Sequence, residues 1–176
     1  GLLNVDALPL KYTRGDNPFI LDGLPCEYTI LDFWSWAFSD VLTNTTRGLL
    51  AEFIVATALG IDIEKPHEEW ASFDLVYRDC RIEVKSAAYH QRWHQDGLSK
   101  IIFTLPKRKG WDAETNKVDS EARRHADIYV LSLLAEEERH RVSPIDLDQW
   151  RFWIVATDFF DRRERSQHSI NYNSLV

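Results

Sequence analysis

The hydrophobic pattern predicts two helices before the first strand. Apolar and aromatic residues run almost without a break through 30–42, which indicates a short buried helix. A second apolar segment extends from Thr46 to Leu59, where Thr45 or Thr46 would cap the helix and Gly60 would end it. Both segments lack the strict alternation that is typical of a strand with one face in water.

Later segments are short, rich in β-branched and aromatic residues, and bounded by polar residues, which is typical of strands. They are Phe73–Tyr77, Arg81–Ser86, Lys100–Leu105, Ile128–Leu134 and Arg151–Ala156. Between the third and the fourth, Asp119–His125 is predicted to form a short helix, and Glu136–Val142 is predicted to be a charged loop. This order of helices and strands predicts an α/β fold with a mixed sheet.

The length of 176 residues, with 44% hydrophobic residues, suits one hydrophobic core. We therefore expect a single domain over 1–176, with its core at about 46–134, an N-terminal embellishment, and a C-terminal strand and tail. No run of about 18 apolar residues occurs, so no transmembrane helix and no membrane partner are predicted. Cys26 and Cys80 form no CxxC pair, and the start lacks the pattern of a signal peptide, which favours reduced thiols and a cytoplasmic location.

The formal net charge of −7 argues against a protein that coats nucleic acid without specificity, because such binding neutralises phosphates with Lys and Arg. Local basic clusters are nevertheless present. Lys107, Arg108 and Lys109 form one, and Arg123 and Arg124 form another. Either a solvated surface or a contact to a phosphate backbone accounts for each of them.

The first two predicted strands carry charged residues among apolar ones. Side chains alternate between the faces of a strand, so Glu83 and Lys85 share one face. A symmetric turn at Asp79–Cys80 would place Asp74 opposite Lys85. Glu83 would then lie diagonally from Asp74, and the three charged groups would form one cluster. A hairpin with one solvent face explains the same pattern by weak, exposed ion pairs.

The second helix adds a further carboxylate. After Arg47 at its start, Glu52 is the one charge within an otherwise apolar or small-residue segment, so no side of the helix around it is expected to be solvated. It either forms a core ion pair with Arg47 or Lys85, or faces the same cluster as Asp74 and Glu83. In the second case a divalent cation would offset carboxylates that cannot all ionise together.

The ordered set of Glu52 on a helix, Asp74 on a strand and the run 83–85 (Glu-Val-Lys) on the next strand resembles the PD-(D/E)xK, or restriction-endonuclease-like, nuclease superfamily. The resemblance covers about 47–134, and the chain is also similar to an uncharacterised bacterial protein family within that superfamily. Phe73 stands where the Pro of the motif would be. The resemblance implies a restriction-endonuclease-like core, with a mixed central β-sheet flanked by helices.

It also implies metal-dependent hydrolysis of a phosphodiester bond in nucleic acid, with DNA expected rather than RNA. Asp74, Glu83 and the backbone carbonyl of Val84 would bind Mg²⁺ or Mn²⁺, because hard oxygen ligands suit these ions. Lys85 would orient or deprotonate water and stabilise developing charge. Glu52 would hold a metal-bound water or a second ion.

Several other residues receive expected roles. Ser86, Tyr89 and Gln91 follow the motif closely enough to contact phosphate or to orient water. The two basic clusters would approach the nucleic-acid backbone. Many proteins of the superfamily dimerise, so a homodimer or larger complex is an expectation for which the sequence identifies no interface.

A second function stays open. The four signature residues favour an enzyme, whereas the acidic net charge and the lack of a separate recognition domain favour a catalytically silent module. Such a module would keep the nuclease fold and bind nucleic acid or another protein.

Overall fold

The computed structural model describes residues 8–67, 71–112, 115–162 and 168–175. The helices are α1 (Ile30–Phe38), α2 (Asn44–Leu59) and α3 (Thr157–Asp161). The strands are β1 (Pro18–Leu21), β2 (Leu24–Thr29), β3 (Leu75–Tyr77), β4 (Cys80–Ala88), β5 (Ile102–Thr104), β6 (Trp111–Asp112), β7 (Lys117–Val118), β8 (Ile128–Leu134), β9 (Trp150–Ala156) and β10 (Ser169–Asn171). Short 3₁₀ helices cover Arg139–Arg141, Leu147–Gln149 and Tyr172–Ser174.

The central sheet has four strands in the order β3-β4-β8-β9. β4 and β8 run parallel, from Ile82 beside Ile128 to Ala88 beside Leu134, while β3 and β9 pair antiparallel with their neighbours. The α/β class and the mixed sheet that the sequence predicted are therefore confirmed. Parallel pairing leaves the middle strands covered on both faces, which is why β8 is apolar almost throughout.

Each face of the sheet carries its own apolar cluster. Helix α2 covers one face through Ala51, Val55, Ile82, Val84, Ala88, Val130, Leu134 and Trp150. The other face packs against β5, β10 and α3 through Ala87, Ile101, Phe103, Leu105, Tyr129, Leu131, Leu133, Phe160 and Ile170. The first cluster fixes α2 and β4 relative to each other, and both elements carry candidate site residues.

Helix α2 has well-defined ends. The side chain of Thr43, not Thr45 or Thr46, caps it by accepting the backbone N–H of Thr46. Gly60 ends it with a φ of 70°, a left-handed conformation that costs glycine little, as the sequence predicted. No helix within the described residues is both long and apolar enough to cross a membrane.

The predicted strand at 100–105 exists in part but lies outside the central sheet. β5 pairs antiparallel with β10 in a separate two-stranded sheet, which packs over the central one. Phe103 and Leu105 point into the core while Ile102 and Thr104 are exposed. This alternation is that of a strand that covers the central sheet with one face and meets solvent with the other, not of a fifth central strand.

The predicted helix at 119–125 is wrong, because this segment is extended. Arg123 forms a β-bridge with Arg108, and the side chains of Arg124 and His125 donate to or contact backbone carbonyls of the same neighbouring segment. The predicted charged loop at 136–142 includes the short 3₁₀ helix Arg139–Arg141.

The helix predicted over 30–42 is shorter than expected and is not buried. It ends at Phe38, and none of its residues is buried. Thr29 caps it reciprocally with Asp32, so local hydrogen bonds hold the helix where packing does not. Together with β1 and β2 it forms the N-terminal arm, residues 18–38, in which no side chain is buried and Trp36 is 84% exposed.

Candidate active site

The turn between β3 and β4 sets the register of the candidate site. Arg78 and Asp79 both have positive φ, 48° and 65°, which is the conformation of a two-residue hairpin turn that matches strand twist. Tyr77 therefore pairs with Cys80, and Leu75 with Ile82. The turn is centred one residue earlier than the sequence analysis expected.

Two hydrogen bonds extend this register to Asp74. Its backbone N–H donates to the carbonyl of Ile82 at 2.9 Å, and its Oδ2 accepts the backbone N–H of Val84 at 2.6 Å. Because these bonds flank Glu83, Asp74 lies opposite Glu83. The predicted pairing of Asp74 with Lys85 is therefore wrong.

Lys85 forms its ion pair along its own strand. Its Nζ donates to Oε1 of Glu83, two residues away on the same face of β4, and both side chains are mostly buried. The interpretation of the hairpin as a row of weak, exposed pairs does not fit, since the side chains of Glu83 and Lys85 are only 17% and 21% exposed.

Glu52 reaches the site from α2. Its Oε2 lies 2.7 Å from Nε2 of His67, and it forms no ion pair with Arg47 or Lys85 within the described residues. The core ion pair considered from the sequence is therefore wrong. His67 was not predicted, because a single His beside Pro66 in an irregular segment gives no periodic or motif signal.

The three carboxylates are close enough to repel one another. Burial raises the pKa of Asp74 to about 7, helped by the negative charges of Glu83 and Glu52, although the Val84 N–H and Lys85 act in the opposite direction. Burial also raises the pKa of Glu52, and His67 partly offsets it. Glu52, Asp74 and Glu83 thus form one electrostatic unit, the acidic cluster, as the sequence predicted.

The donor atoms of the acidic cluster suit a hard divalent cation. Asp74 and Glu83 offer carboxylate oxygens, which Mg²⁺ and Mn²⁺ prefer. A cation beside them would offset the burial and the neighbouring negative charges that raise the pKa of Asp74. Within the described chain, no three His, Cys, Asp or Glu side chains converge into a metal-binding group. An ion here would have two carboxylate ligands and would complete its shell with backbone oxygen or water, as Mg²⁺ usually does.

The acidic cluster opens onto a cleft between α2 and β3. The cleft has a volume of about 930 Å³, and Glu52, His67 and Asp74 lie in its wall. Much of the remaining lining is apolar, including Leu49, Phe53, Ile61, Phe73 and Val76. Glu52 and Asp74 are therefore accessible to a ligand from this cleft, whereas Glu83 and Lys85 do not line it.

The structure brings the two basic clusters together, with one exception. The bridge between Arg108 and Arg123 aligns their segments, so Lys107, Arg108, Lys109 and Arg123 form one exposed group, the basic strip. Arg124 does not belong to it. Its side chain is 1% exposed, donates to the carbonyl of Leu105, and is paired with Asp161, so its predicted contact to nucleic acid is wrong.

The basic strip lies next to the acidic cluster. Gly110, which follows the strip, is buried so tightly that an added Cβ would lie 3.1 Å from Oγ of Ser72, two residues before Asp74. Tyr129, the neighbour of Glu83 on β8, is electrostatically coupled to both Glu83 and Arg108. The basic strip and the acidic cluster therefore lie in the same region of the fold.

The predicted accessory residues separate into two environments. Ser86 accepts a hydrogen bond from Nε of Arg47, and Gln91 donates to the carbonyl of Ala88; both line a second cleft, at the end of β4. Tyr89 instead packs against the apolar cluster that includes Leu131 and Phe160.

A known protein family matches the part of the chain that holds these site residues. The sequence model of bacteriophage T4 endonuclease IV matches residues 29–172. The chain belongs to this family. The endonuclease IV match includes the acidic cluster, Lys85 and the basic strip, and it identifies a nuclease family. Neither the curated proteins nor the solved structures gave a match.

The burial of Asp74, together with the repulsion within the acidic cluster, predicts that removing its charge stabilises this endonuclease IV family member. Asp74→Asn keeps an acceptor for the Val84 N–H. The pKa of Asp74 is about 7 in the folded state and 3.8 in the unfolded state, and each pKa unit corresponds to about 1.4 kcal/mol. The free energy of unfolding should therefore rise by at most about 4 kcal/mol. In chelator above pH 7, we expect the melting temperature to rise by about 3 °C or more.

The pH dependence has a defined sign. Since the pKa of Asp74 is higher in the folded state, wild-type stability falls as pH rises from about 4 to 7, while Asn does not titrate. The advantage of Asp74→Asn should vanish near pH 4. Asp127→Asn is the control, because pairing with Arg81 lowers the pKa of Asp127 to about 2, so this variant should melt lower at pH 7. A lower melting temperature for both variants would contradict the repulsion.

Proposed function

We propose that the protein is a metal-dependent DNA endonuclease of the PD-(D/E)xK type. The observation that carries this proposal is the placement of Asp74 opposite Glu83, with Lys85 beside Glu83 on the same face of β4. The family match supports an endonuclease acting on nucleic acid, since the matched family is named for one. The acidic cluster supplies the chemistry that cleavage of a phosphodiester requires.

Asp74 and Glu83 would hold Mg²⁺ or Mn²⁺ with the backbone carbonyl of Val84. When bound, such an ion polarises phosphoryl oxygens and lowers the pKa of water. The Val84 N–H fixes one oxygen of Asp74 and leaves the other oxygen for a ligand.

Lys85 has the position of a catalytic cation. Its ammonium group is held by Glu83 and mostly excluded from water, so it acts in a low dielectric where charge stabilisation is strong. In this role it orients the attacking water and stabilises negative charge on the phosphate. Glu52 holds a further water or ion, and His67 fixes the orientation of the Glu52 carboxylate.

The basic strip positions the substrate in this proposal. Its side chains are exposed and adjacent to the acidic cluster. They supply local positive charge in a protein whose formal net charge is −7. Contacts of Lys and Arg to phosphates fix orientation without reading sequence.

A catalytically silent binding module is the alternative. It is favoured by the ion pair between Lys85 and Glu83, which already uses one oxygen of a proposed metal ligand, and by the lack of a three-residue metal group within the described residues. Such a module would bind nucleic acid through the basic strip and would not cut it.

Lys85→Ala tests the catalytic role. We expect cleavage of supercoiled or single-stranded DNA with Mn²⁺ to fall at least about 100-fold, which is typical when one group that stabilises transition-state charge is removed. Lys117→Ala, an exposed lysine on β7, serves as the control and should cut normally. Undiminished cutting by Lys85→Ala would refute its role, and no cutting by the wild type would favour the binding module.

Calorimetric titration with Mn²⁺ tests the metal site. Wild type and Lys85→Ala should both release or absorb heat on binding, whereas Asp74→Ala should show none, because it lacks a ligand. Asp127→Ala removes a carboxylate that is paired with Arg81 outside the acidic cluster, and it should bind as wild type does. Equal heats for Asp74→Ala and wild type would exclude this site.

Salt dependence tests the basic strip. Arg108→Glu should weaken binding to DNA in chelator, and it should flatten the plot of log affinity against log salt by about one unit for each phosphate that the protein no longer neutralises. Arg151→Glu changes an exposed arginine on β9 and should leave the slope unaltered. If both variants retain the wild-type slope, the strip is ordinary surface.

A further inference from the structure

A second cleft lies at the carboxyl end of β4. It has a volume of about 250 Å³, and its polar lining consists of Asn44, Arg47, Ser86, Gln91, Ser99 and Lys100. It shares no lining residue with the larger cleft beside the acidic cluster. Within the described chain no Asp or Glu lines it, so its two ionisable residues are both cations.

Arg47 is a buried cation without a counter-charge. The residue is 3% exposed, and its hydrogen bonds go to neutral acceptors: Oγ of Ser86 at 3.1 Å, the carbonyl of Leu42 at 3.0 Å and Oδ1 of Asn44 at 2.9 Å. No carboxylate of the described residues pairs with it, and burial lowers its pKa without any opposing charge. A guanidinium has five N–H donors, so these three bonds leave two of them for a ligand.

The structural role of Arg47 does not account for its charge. A buried, unpaired charge is costly to desolvate. Arg47 also lies in the first turn of α2, where the helix dipole disfavours a cation. An anion in the cleft would pair with the buried charge of Arg47 and would also interact favourably with the helix dipole. Lys100 at the rim would add a second positive charge.

We propose that this cleft binds a phosphate group, as a second phosphate subsite of the nuclease. The guanidinium fork and the ammonium match a tetrahedral oxyanion, with the Ser99 hydroxyl as a further donor. That the phosphate belongs to nucleic acid rests on the proposed function. Glu83 and Ser86 lie three positions apart on β4, which is about 10 Å or about three nucleotides of duplex rise, with their side chains on opposite faces of the strand.

Thermal melts with inorganic phosphate in chelator test the cleft independently of metal and cleavage. Phosphate should raise the wild-type melting temperature above that in chloride of equal ionic strength, because a ligand of the folded state stabilises it. Lys100→Ala should lose at least half of this rise, as should Arg47→Lys, which keeps the charge but not the fork. Lys117→Ala, outside the cleft, should keep the full rise.

These melts overturn the proposal if phosphate acts no differently from chloride on the wild type, or if Lys100→Ala keeps the full rise. Lys100 is exposed and its variant is expected to fold, so it decides the question even if Arg47→Lys does not fold. If cleavage is never observed but these melts behave as expected, the proposed function fails while the anion site stands.

Oligonucleotides distinguish the source of the phosphate. In chelator, we would measure the binding of Lys100→Ala to a single strand with a 5′-phosphate and to the same strand with a 5′-hydroxyl. A loss of about fivefold or more for both strands assigns the cleft to an internal phosphodiester, and a loss for the phosphorylated strand alone assigns it to a chain end. Unchanged affinity for both strands excludes nucleic acid as the source.

Discussion

The repulsion between Asp74 and Glu83 is the constraint around which the rest of the structure is arranged. Two carboxylates that face each other across a hairpin destabilise it unless something holds them there. Two polar contacts hold these carboxylates in place: the hydrogen bond from the Val84 N–H to Asp74 and the ion pair between Lys85 and Glu83. The packing of α2 on β4 stabilises the hairpin from the other side. The fold therefore concentrates charge at one point and stabilises itself elsewhere, as functional sites commonly do.

The sequence predicted which residues belong to the acidic cluster more accurately than it predicted how they are arranged. Glu52 was identified as the lone carboxylate in an apolar helix, and alternation on β4 put Glu83 and Lys85 on one face, because both signals are local. The pairing of Asp74 was mispredicted, since the register depends on the turn, and Arg78 is not a residue whose positive φ can be read from sequence. His67 was missed because its relation to Glu52 exists only in three dimensions.

Burial was the least predictable property. The apolar density of α1 suggested a buried helix, but hydrophobicity does not specify a neighbour, and no residue of the N-terminal arm is buried. Arg123 and Arg124 are adjacent in sequence and opposite in environment, because Asp161 and the Leu105 carbonyl bind only the second. The strand at β5 was predicted, yet its pairing with β10 required knowledge of the chain's far end.

The geometry of the acidic cluster depends on the length of the two-residue turn at Arg78 and Asp79. Adding or deleting one residue there would shift the pairing of β3 with β4 by one position, so Asp74 and Glu83 would no longer lie opposite each other on one face. Length changes in the segments after β4 or β8 do not alter this register. The geometry of the site is therefore less sensitive to the length of those segments than to an insertion or deletion of an odd number of residues in this hairpin.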